Sequence, residues 1–272
     1  MVGLKQKVHL KLNSFFNEAV FAGRCEQSVG NSPGEIEAIT AAARSFLKSE
    51  FEVHNLRNPS FEFQLTAAVS CYTTAAKLQE DQGRQQLAAG LYNELGQAYW
   101  KMKRPVEALP YFQKAVILLE NDVLSVMNAK LSVASCFISI PDYHNALLVL
   151  SDIANIATEN DSLHLYDDIQ ENVEILRVLL LLIIEPSSHN TSPHLLGVIE
   201  KYRVLDDSFD PEHKICPFIS VEVSILLQSL VMAVDSVETD SVLYIEDELV
   251  NLLSDEQRSL LRVVVKQTLK KV

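Results

Sequence analysis

The sequence predicts an all-α protein, a tetratricopeptide-like helical-repeat solenoid of roughly twelve helices. Along the chain, apolar residues recur at helical spacing, and no segment shows the strict alternation that is typical of a β-strand. One segment also matches the tetratricopeptide pattern, in which the repeating unit is a pair of helices. Because each pair buries its apolar face on its neighbours, we expect one stacked array, a single domain over residues 1–272.

Start signals and breaks in the apolar pattern set the bounds of the predicted helices. Ser32, Pro33 and Glu35 form such a signal, in which a capping residue precedes a proline at the first helical position and a capping-box glutamate. The segment that starts at Ser254 repeats this signal. The predicted helices cover residues 4–28, 34–53, 60–81, 84–102, 105–120, 124–140, 143–159, 166–185, 193–203, 218–235, 239–252 and 255–270.

The clearest tetratricopeptide repeats lie over residues 88–157. In such a repeat, small residues let two helices approach closely and aromatic residues fill the space between them. The first repeat matches the pattern at Tyr92, Leu95, Gly96, Tyr99, Ala108, Phe112 and Ala115. A weaker second repeat has its corresponding residues at Val133, Ala134, Phe137, Ala146, Leu150 and Ile153. Pro110 falls inside a predicted helix, where we expect it to remove one backbone hydrogen bond and cause a kink.

The chain is acidic, and its charge is unevenly distributed. Its 23 basic and 36 acidic residues give a net charge of −13, so we expect no nucleic-acid partner. Residues 115–258 alone carry 6 basic and 25 acidic residues, and they include an acidic C-terminal helical region at 206–258. Such a region can steer a basic partner, or it can be a solvated face that keeps the protein soluble.

The predicted last helix, residues 255–270, is basic instead. Arg258, Arg262, Lys266 and Lys270 recur every four residues along it. These side chains could hold the helix against an acidic surface of this chain or of a partner. A solvated face, with cations near the carboxyl end of a helix, explains the pattern equally well.

Catalytic and metal-binding motifs are missing from the sequence. It contains no Gly-rich nucleotide-binding loop, no zinc-protease motif, no nucleophile elbow and no EF-hand loop. Asp161, His164, Asp167 and Asp168 form a small cluster that could hold a metal, but a solvated turn between helices is the preferred interpretation. We therefore predict no catalytic residues, no cofactor and no metal, and a protein that is not an enzyme.

The sequence also predicts a protein of the cytoplasm. The start of the chain lacks the continuous apolar stretch of a secretory signal. The longest uncharged apolar run, residues 178–184, is far shorter than the roughly 20 residues that span a bilayer. We therefore expect no direct insertion into membranes.

Two predicted helices are more apolar than one neighbour requires. Residues 221–235 carry a broad apolar face, and residues 178–184 are apolar on nearly all sides. Each helix could lie at the centre of the solenoid. Alternatively, each could leave an exposed surface that another protein covers.

Several segments resemble the family of the forty-kilodalton huntingtin-associated protein. They are SPGEIEAITAAARSFLKSE, SCFISIPDYHNALLVL, ILRVLLLLIIEP, and above all LLQSLVMA followed by LVNLLSDEQRSLLRVVVKQTL. The resemblance covers about two thirds of the chain, in order. It implies an all-α partner protein that is held between the helical repeats of huntingtin and stabilises it. It also implies a link to Rab5-dependent early-endosome trafficking and motility, with residence in the cytoplasm and the nucleus.

The resemblance further implies a protein-binding site in the C-terminal region. We expect apolar contacts from one helix and an acidic surface, facing a basic region of huntingtin, from the next. The apolar residues are Leu226, Leu227, Leu230 and Val231. The acidic residues are Asp240, Glu246, Asp247 and Glu248.

Two other classes of helical-repeat protein remain as alternatives. A tetratricopeptide adaptor or co-chaperone binds peptide tails in its concave groove, and the carboxylate-binding type has a lysine four residues before an asparagine. Here Ala89 stands four residues before Asn93, which argues against that type. A fusion adaptor of the soluble attachment-protein type is also an α-solenoid, but its membrane-inserting apolar loop is not evident in this sequence.

Overall fold

The computed structural model describes residues 32–55, 62–160, 164–184, 193–203 and 216–271, together with Phe21 and Cys25. Within these residues the protein consists of eleven α-helices and contains no strand, which confirms the all-α prediction. The helices are α1 (Ser32–Asn55), α2 (Glu62–Asp81), α3 (Gln85–Lys101), α4 (Pro105–Leu118), α5 (Val123–Ser139), α6 (Tyr143–Asn160), α7 (Asp167–Ile184), α8 (Pro193–Arg203), α9 (Val221–Asp235), α10 (Thr239–Leu249) and α11 (Asp255–Leu269). The predicted helix at 4–28 lies outside the described residues, apart from Phe21 and Cys25, which are helical.

The chain divides into two compact units, with the boundary between Cys136 and Phe137. In the first unit α1 packs on α2, α2 on α3, and α3 on α4. In the second unit α7 contacts α6, α8, α9 and α11. Helix α10 contacts both α9 and α11. The prediction of one domain over residues 1–272 stays a prediction.

The α3–α4 pair has the packing that the tetratricopeptide pattern predicts. All seven residues that match the pattern, including Gly96, are buried. A Cβ atom at Gly96 would lie 2.7 Å from Cε1 of Phe112, so the ring of α4 packs directly on the backbone of α3. Tyr99 and Tyr111 stack across the same pair, with ring centroids 5.6 Å apart. Small and aromatic residues therefore set the distance between these two helices.

Helix α7 is the central helix of the second unit. Every residue from Val173 to Ile183 is buried, including the charged Glu174 and Arg177. Four other helices of the unit cover it. The apolar residues of this helix therefore pack against other helices of the same unit, and residues 173–183 leave no exposed surface for a partner to cover.

Two local predictions concern a helix start and a proline. At α11, Ser254 Oγ accepts a hydrogen bond from the Gln257 backbone N–H, and Gln257 Oε1 accepts one from the Ser254 backbone N–H. The start signal at Ser254 is thus confirmed as a reciprocal capping box. Pro110 lies inside α4, which runs on to Leu118.

Candidate protein-binding surfaces

The apolar half of the predicted binding site lies mostly in the core. Leu227, Leu230 and Val231 are fully buried, and only Leu226 is partly exposed. The reason is that α9 contacts α7, α8 and α10, so its broad apolar face is covered from three directions within the second unit. In the free chain the side chains of Leu227, Leu230 and Val231 stabilise the fold and are not exposed to a partner. The exposed apolar residues of α9 are Val221 and Ile225.

The acidic half of the predicted site lies at the surface. Asp240, Asp247 and Glu248 on α10 are exposed, and Glu246 is partly buried. The opposite face of α10 holds Val242, Ile245 and Leu249 in the core. No ion pair joins any of the four carboxylates to a basic side chain in the described part of the molecule. The three exposed carboxylates can therefore attract an external cation.

Two apolar side chains share this acidic face, and the sequence interpretation did not include them. Tyr244 is 67% exposed and Leu243 is 42% exposed. The spacing of the core residues at 242, 245 and 249 is the signal that could have found them, because it directs positions 243 and 244 outward. We define the acidic face as Asp240, Leu243, Tyr244, Asp247 and Glu248.

Of the four basic residues in the predicted last helix, Arg258 has hydrogen-bond and ion-pair partners nearby, and the other three are exposed. Arg258 Nε donates to the Leu253 carbonyl at 2.7 Å, and Arg258 Nη1 lies 3.3 Å from Asp255 Oδ1. Arg262, Lys266 and Lys270 are exposed. The structure thus favours a solvated basic face for most of this strip, with Arg258 held locally.

A polar groove lies in the first unit, between α3 and α5, and has a volume of about 610 Å³. We call it the amide groove because four of the side chains that line it are amides: Gln86, Asn93, Gln97 and Asn128. The small residues Ala89, Gly90 and Ala129 also line it. Of the residues that the structure describes, no lysine or arginine lines it, and a carboxylate-binding tetratricopeptide groove needs such basic side chains.

The neighbouring groove, between α1 and α3, has a volume of about 540 Å³ and contains a paired charge. Arg44 donates from Nε to Glu94 Oε1 at 2.8 Å and from Nη2 to Oε2 at 2.9 Å. The Tyr72 hydroxyl donates to the same carboxylate at 2.8 Å. The Arg44 hydrogen bonds hold the pKa of Glu94 below its ordinary value, although burial opposes them. This groove therefore also presents little net charge.

A buried polar cluster in the second unit was not predicted from the sequence. Glu174 accepts hydrogen bonds from Arg177 at 3.1 Å, from Lys201 at 2.5 Å and from the Cys216 thiol at 3.5 Å. Tyr202 lies beside them, fully buried. Burial lowers the pKa of Arg177, raises the pKa of Tyr202 and raises the pKa of Cys216 to about 11. The thiol is therefore protonated and unreactive at neutral pH, and the cluster is a structural element.

The four residues that could hold a metal, Asp161, His164, Asp167 and Asp168, lie partly outside the described residues. Asp161 lies outside the described residues, and His164 Nδ1 lies 3.4 Å from Asp167 Oδ1 at the surface. The described portion of the chain contains no group of three or more histidine, cysteine, aspartate or glutamate residues that could hold a metal ion. None of the helices described has both the length and the apolar character that a bilayer-spanning segment requires.

These features define a helical-repeat protein with an acidic face and an amide-lined groove at its surface. The sequence model of the family described as "Soluble NSF attachment protein, SNAP" matches residues 36–166, a range that includes both tetratricopeptide repeats. The chain is similar to the 40-kDa huntingtin-associated protein of Rattus norvegicus, with 28% identity over 302 aligned positions that cover 90% of this chain and 79% of that protein. The 40-kDa huntingtin-associated protein of Mus musculus is 27% identical over the same shares.

Proposed function

We propose that this chain is a non-enzymatic scaffold protein that binds and stabilises huntingtin. The observation that carries the proposal is the similarity to two proteins named for their association with huntingtin, because it extends over 90% of this chain. A match of that extent includes both compact units and not a repeat motif alone. The two units would act together as one helical domain over residues 1–272, in a constitutive heterodimer with huntingtin.

The acidic face supports a charge-guided mode of binding. Three exposed carboxylates, which form no ion pair with any basic residue that the structure describes, surround Tyr244, on a chain whose net charge is −13. Such a surface attracts a basic region of a partner, raises the rate of association and fixes its orientation. Of the eight predicted contact residues, Leu226 and the four acidic ones keep a place in the proposal, whereas Leu227, Leu230 and Val231 act by holding α9 in the core.

The proposal extends to the cellular role that the sequence resemblance implies. Bound to huntingtin, the chain would act in Rab5-linked trafficking and motility of early endosomes, with Rab5 as a further candidate partner. It would reside in the cytoplasm, in association with early endosomes, and also in the nucleus. The similarity of residues 36–166 to attachment proteins supports a role as a helical adaptor in this setting.

Reversing the charge of the acidic face tests the docking mode. We expect the triple variant Asp240→Lys, Asp247→Lys, Glu248→Lys to bind huntingtin about tenfold more weakly at low ionic strength, since each exposed charge pair contributes about 0.2–1 kcal/mol. The loss should appear mainly in the association rate and should shrink as salt screens the charges. Surface plasmon resonance at two salt concentrations measures both quantities.

A second triple variant controls for the change in total charge. Glu37→Lys, Asp81→Lys and Glu120→Lys alter three exposed carboxylates of the first unit and change the net charge by the same amount. We expect this variant to bind with nearly unchanged affinity. Equal losses in the two triple variants, or a loss that does not depend on salt, would contradict docking through α10.

A further inference from the structure

The guanidinium group of Arg177 is buried in the second unit, and only part of it is hydrogen-bonded. The residue is 5% exposed, and its Nη1 donates to Glu174 Oε2 at 3.1 Å. Its Nε and Nη2 have no hydrogen-bond acceptor among the residues that the structure describes. A buried N–H group without an acceptor is destabilising, and the effect is larger when the group is charged. Such a group requires an acceptor from outside the chain, either water or an ion.

The two unpaired atoms form the edge of the guanidinium that binds two acceptor atoms at once. Their N–H bonds are parallel, which suits a carboxylate or another small anion. Two other arginines of this protein use the same edge in this way. Arg44 binds Glu94 through Nε and Nη2 at 2.8 and 2.9 Å. Arg203 binds Asp235 through the same atoms at 2.7 and 3.1 Å. Arg177 is the most deeply buried of these three arginines, and no described carboxylate lies on its edge.

The charges of the buried polar cluster are not balanced. Two cations, Arg177 and Lys201, share the one carboxylate of Glu174. The Cys216 thiol and the Tyr202 phenol are neutral at pH 7, because their pKa values are raised. Burial lowers the pKa of Arg177 although Glu174 opposes this effect, so one carboxylate does not offset the burial of the guanidinium. One further negative charge at the unpaired edge would balance the cluster.

A second unpaired donor and a route from solvent lie in the same cluster. Tyr202 is fully buried, and its hydroxyl has no hydrogen-bond partner among the described residues. It lies close enough to Arg177 for each group to alter the pKa of the other. The side chain of Lys201 is 38% exposed while its Nζ contacts Glu174, so the cluster reaches the surface beside a cation. An anion can approach along this side chain.

We propose that the buried polar cluster binds one small monovalent anion, of the size of chloride or formate, on the Nε and Nη2 edge of Arg177. The anion accepts hydrogen bonds from these two atoms, with the Tyr202 hydroxyl as a further donor, and so connects α7 to α8. Every residue from 173 to 183 is buried, so the packing around Arg177 admits a small ion and excludes a bulky one. Because the ion binds only the folded state, it stabilises that state by mass action. This site is separate from the acidic face and does not depend on huntingtin binding.

Thermal unfolding of the full chain in different sodium salts tests the site. Sodium gluconate, whose anion is bulky, is replaced stepwise by sodium chloride in one series and by sodium formate in another, at constant ionic strength. We expect the melting temperature to rise by a few degrees in at least one series and then to level off. A general effect of salt on hydrophobic burial does not saturate in this way.

Two lysine variants locate the effect. Arg177→Lys keeps the positive charge and a donor for Glu174 but removes the two-donor edge, so we expect the anion-dependent rise to disappear. Arg203→Lys is the matched control in the same unit, because the edge of Arg203 is already occupied by Asp235. In that variant the rise should be unchanged.

The line width of the chloride NMR signal measures binding without relying on the stability of any variant. An ion held by the protein relaxes faster than a free one, so the original chain should broaden the signal in proportion to its concentration. Formate should reverse the broadening by competing for the same edge. Arg177→Lys should weaken chloride binding about tenfold, the effect of losing one hydrogen bond to a charged group.

The outcomes either support or overturn the site. A saturable rise in melting temperature with chloride or formate, and excess line width that formate reverses, support it when both are lost in Arg177→Lys alone. If neither anion stabilises the chain more than gluconate and no excess line width appears, water serves the edge and the proposal is overturned. Equal binding by Arg177→Lys, or equal loss in Arg203→Lys, would overturn it as well. Because these assays contain no huntingtin, their result is independent of the proposed function.

Discussion

The variant Glu174→Ala is expected to unfold with a free energy about 3–5 kcal/mol lower than that of the original chain. Glu174 is 2% exposed, and its carboxylate accepts hydrogen bonds from Arg177 and Lys201. Removing it leaves the Arg177 guanidinium buried, at 5% exposure, without an anionic partner among the described residues. Nε and Nη2 of Arg177 already have no hydrogen-bond acceptor within the described part of the chain, so the loss of Glu174 would leave almost the whole group unsatisfied there.

Urea unfolding followed by circular dichroism measures this difference. A surface ion pair of the same unit provides the control. Arg203 and Asp235 form a bidentate ion pair, in which Nε donates to Oδ2 at 2.7 Å and Nη2 donates to Oδ1 at 3.1 Å. Both side chains are more than 40% exposed. We expect Asp235→Ala to change the free energy of unfolding by less than about 1 kcal/mol. Similar small effects of the two variants would contradict the view that Glu174 balances buried positive charge.

The variant Gly96→Ala is expected to destabilise the first unit by about 1–3 kcal/mol, although alanine is the better helix former. Its Cβ atom would lie 2.7 Å from Cε1 and 2.8 Å from Cδ1 of Phe112, distances that require the ring or one of the helices to move. The Phe112 ring is fully buried in the α3–α4 pair, so it has little room to shift. Thermal and urea unfolding measure the loss.

Gly90→Ala in the same helix is the matched control for Gly96→Ala. It makes the same chemical change in α3, but no described atom lies within 4 Å of the new Cβ position, so we expect it to be neutral or to stabilise by up to about 1 kcal/mol. The opposite signs of the two variants would show that the α3–α4 spacing depends on the one glycine. Equal stabilities would mean that the helices separate readily, and they would contradict close packing at Phe112.

Local patterns in the sequence were sufficient to predict most of the fold. The spacing of Tyr92, Gly96 and Phe112 identifies a helix pair, because the fit of a ring against a glycine depends on residues close together in the chain. The capping box at Ser254 and Gln257 is equally local, and the structure reproduces it. Such features are predictable because the interacting groups are separated by a fixed number of residues.

The candidate site was less predictable, because the spacing of apolar residues along one helix does not determine how many other helices pack against it. The apolar face around Leu230 fits both a partner surface and a core with three neighbouring helices, and the structure has the core. In the buried polar cluster, Glu174 contacts Lys201 and Cys216, which lie 27 and 42 positions further along the chain, so no local spacing in the sequence predicts it. Likewise, Gly90 and Gly96 differ only in what faces them in space.

The central claim is that this chain functions as the bound partner of huntingtin. The most direct test is size-exclusion chromatography with light scattering, on the chain produced with and without huntingtin from the same organism. We predict an equimolar complex, and lower recovery of the chain alone than of the complex, because binding to the folded state stabilises it by mass action. A chain that elutes apart from huntingtin, although the two are produced together, would contradict the claim.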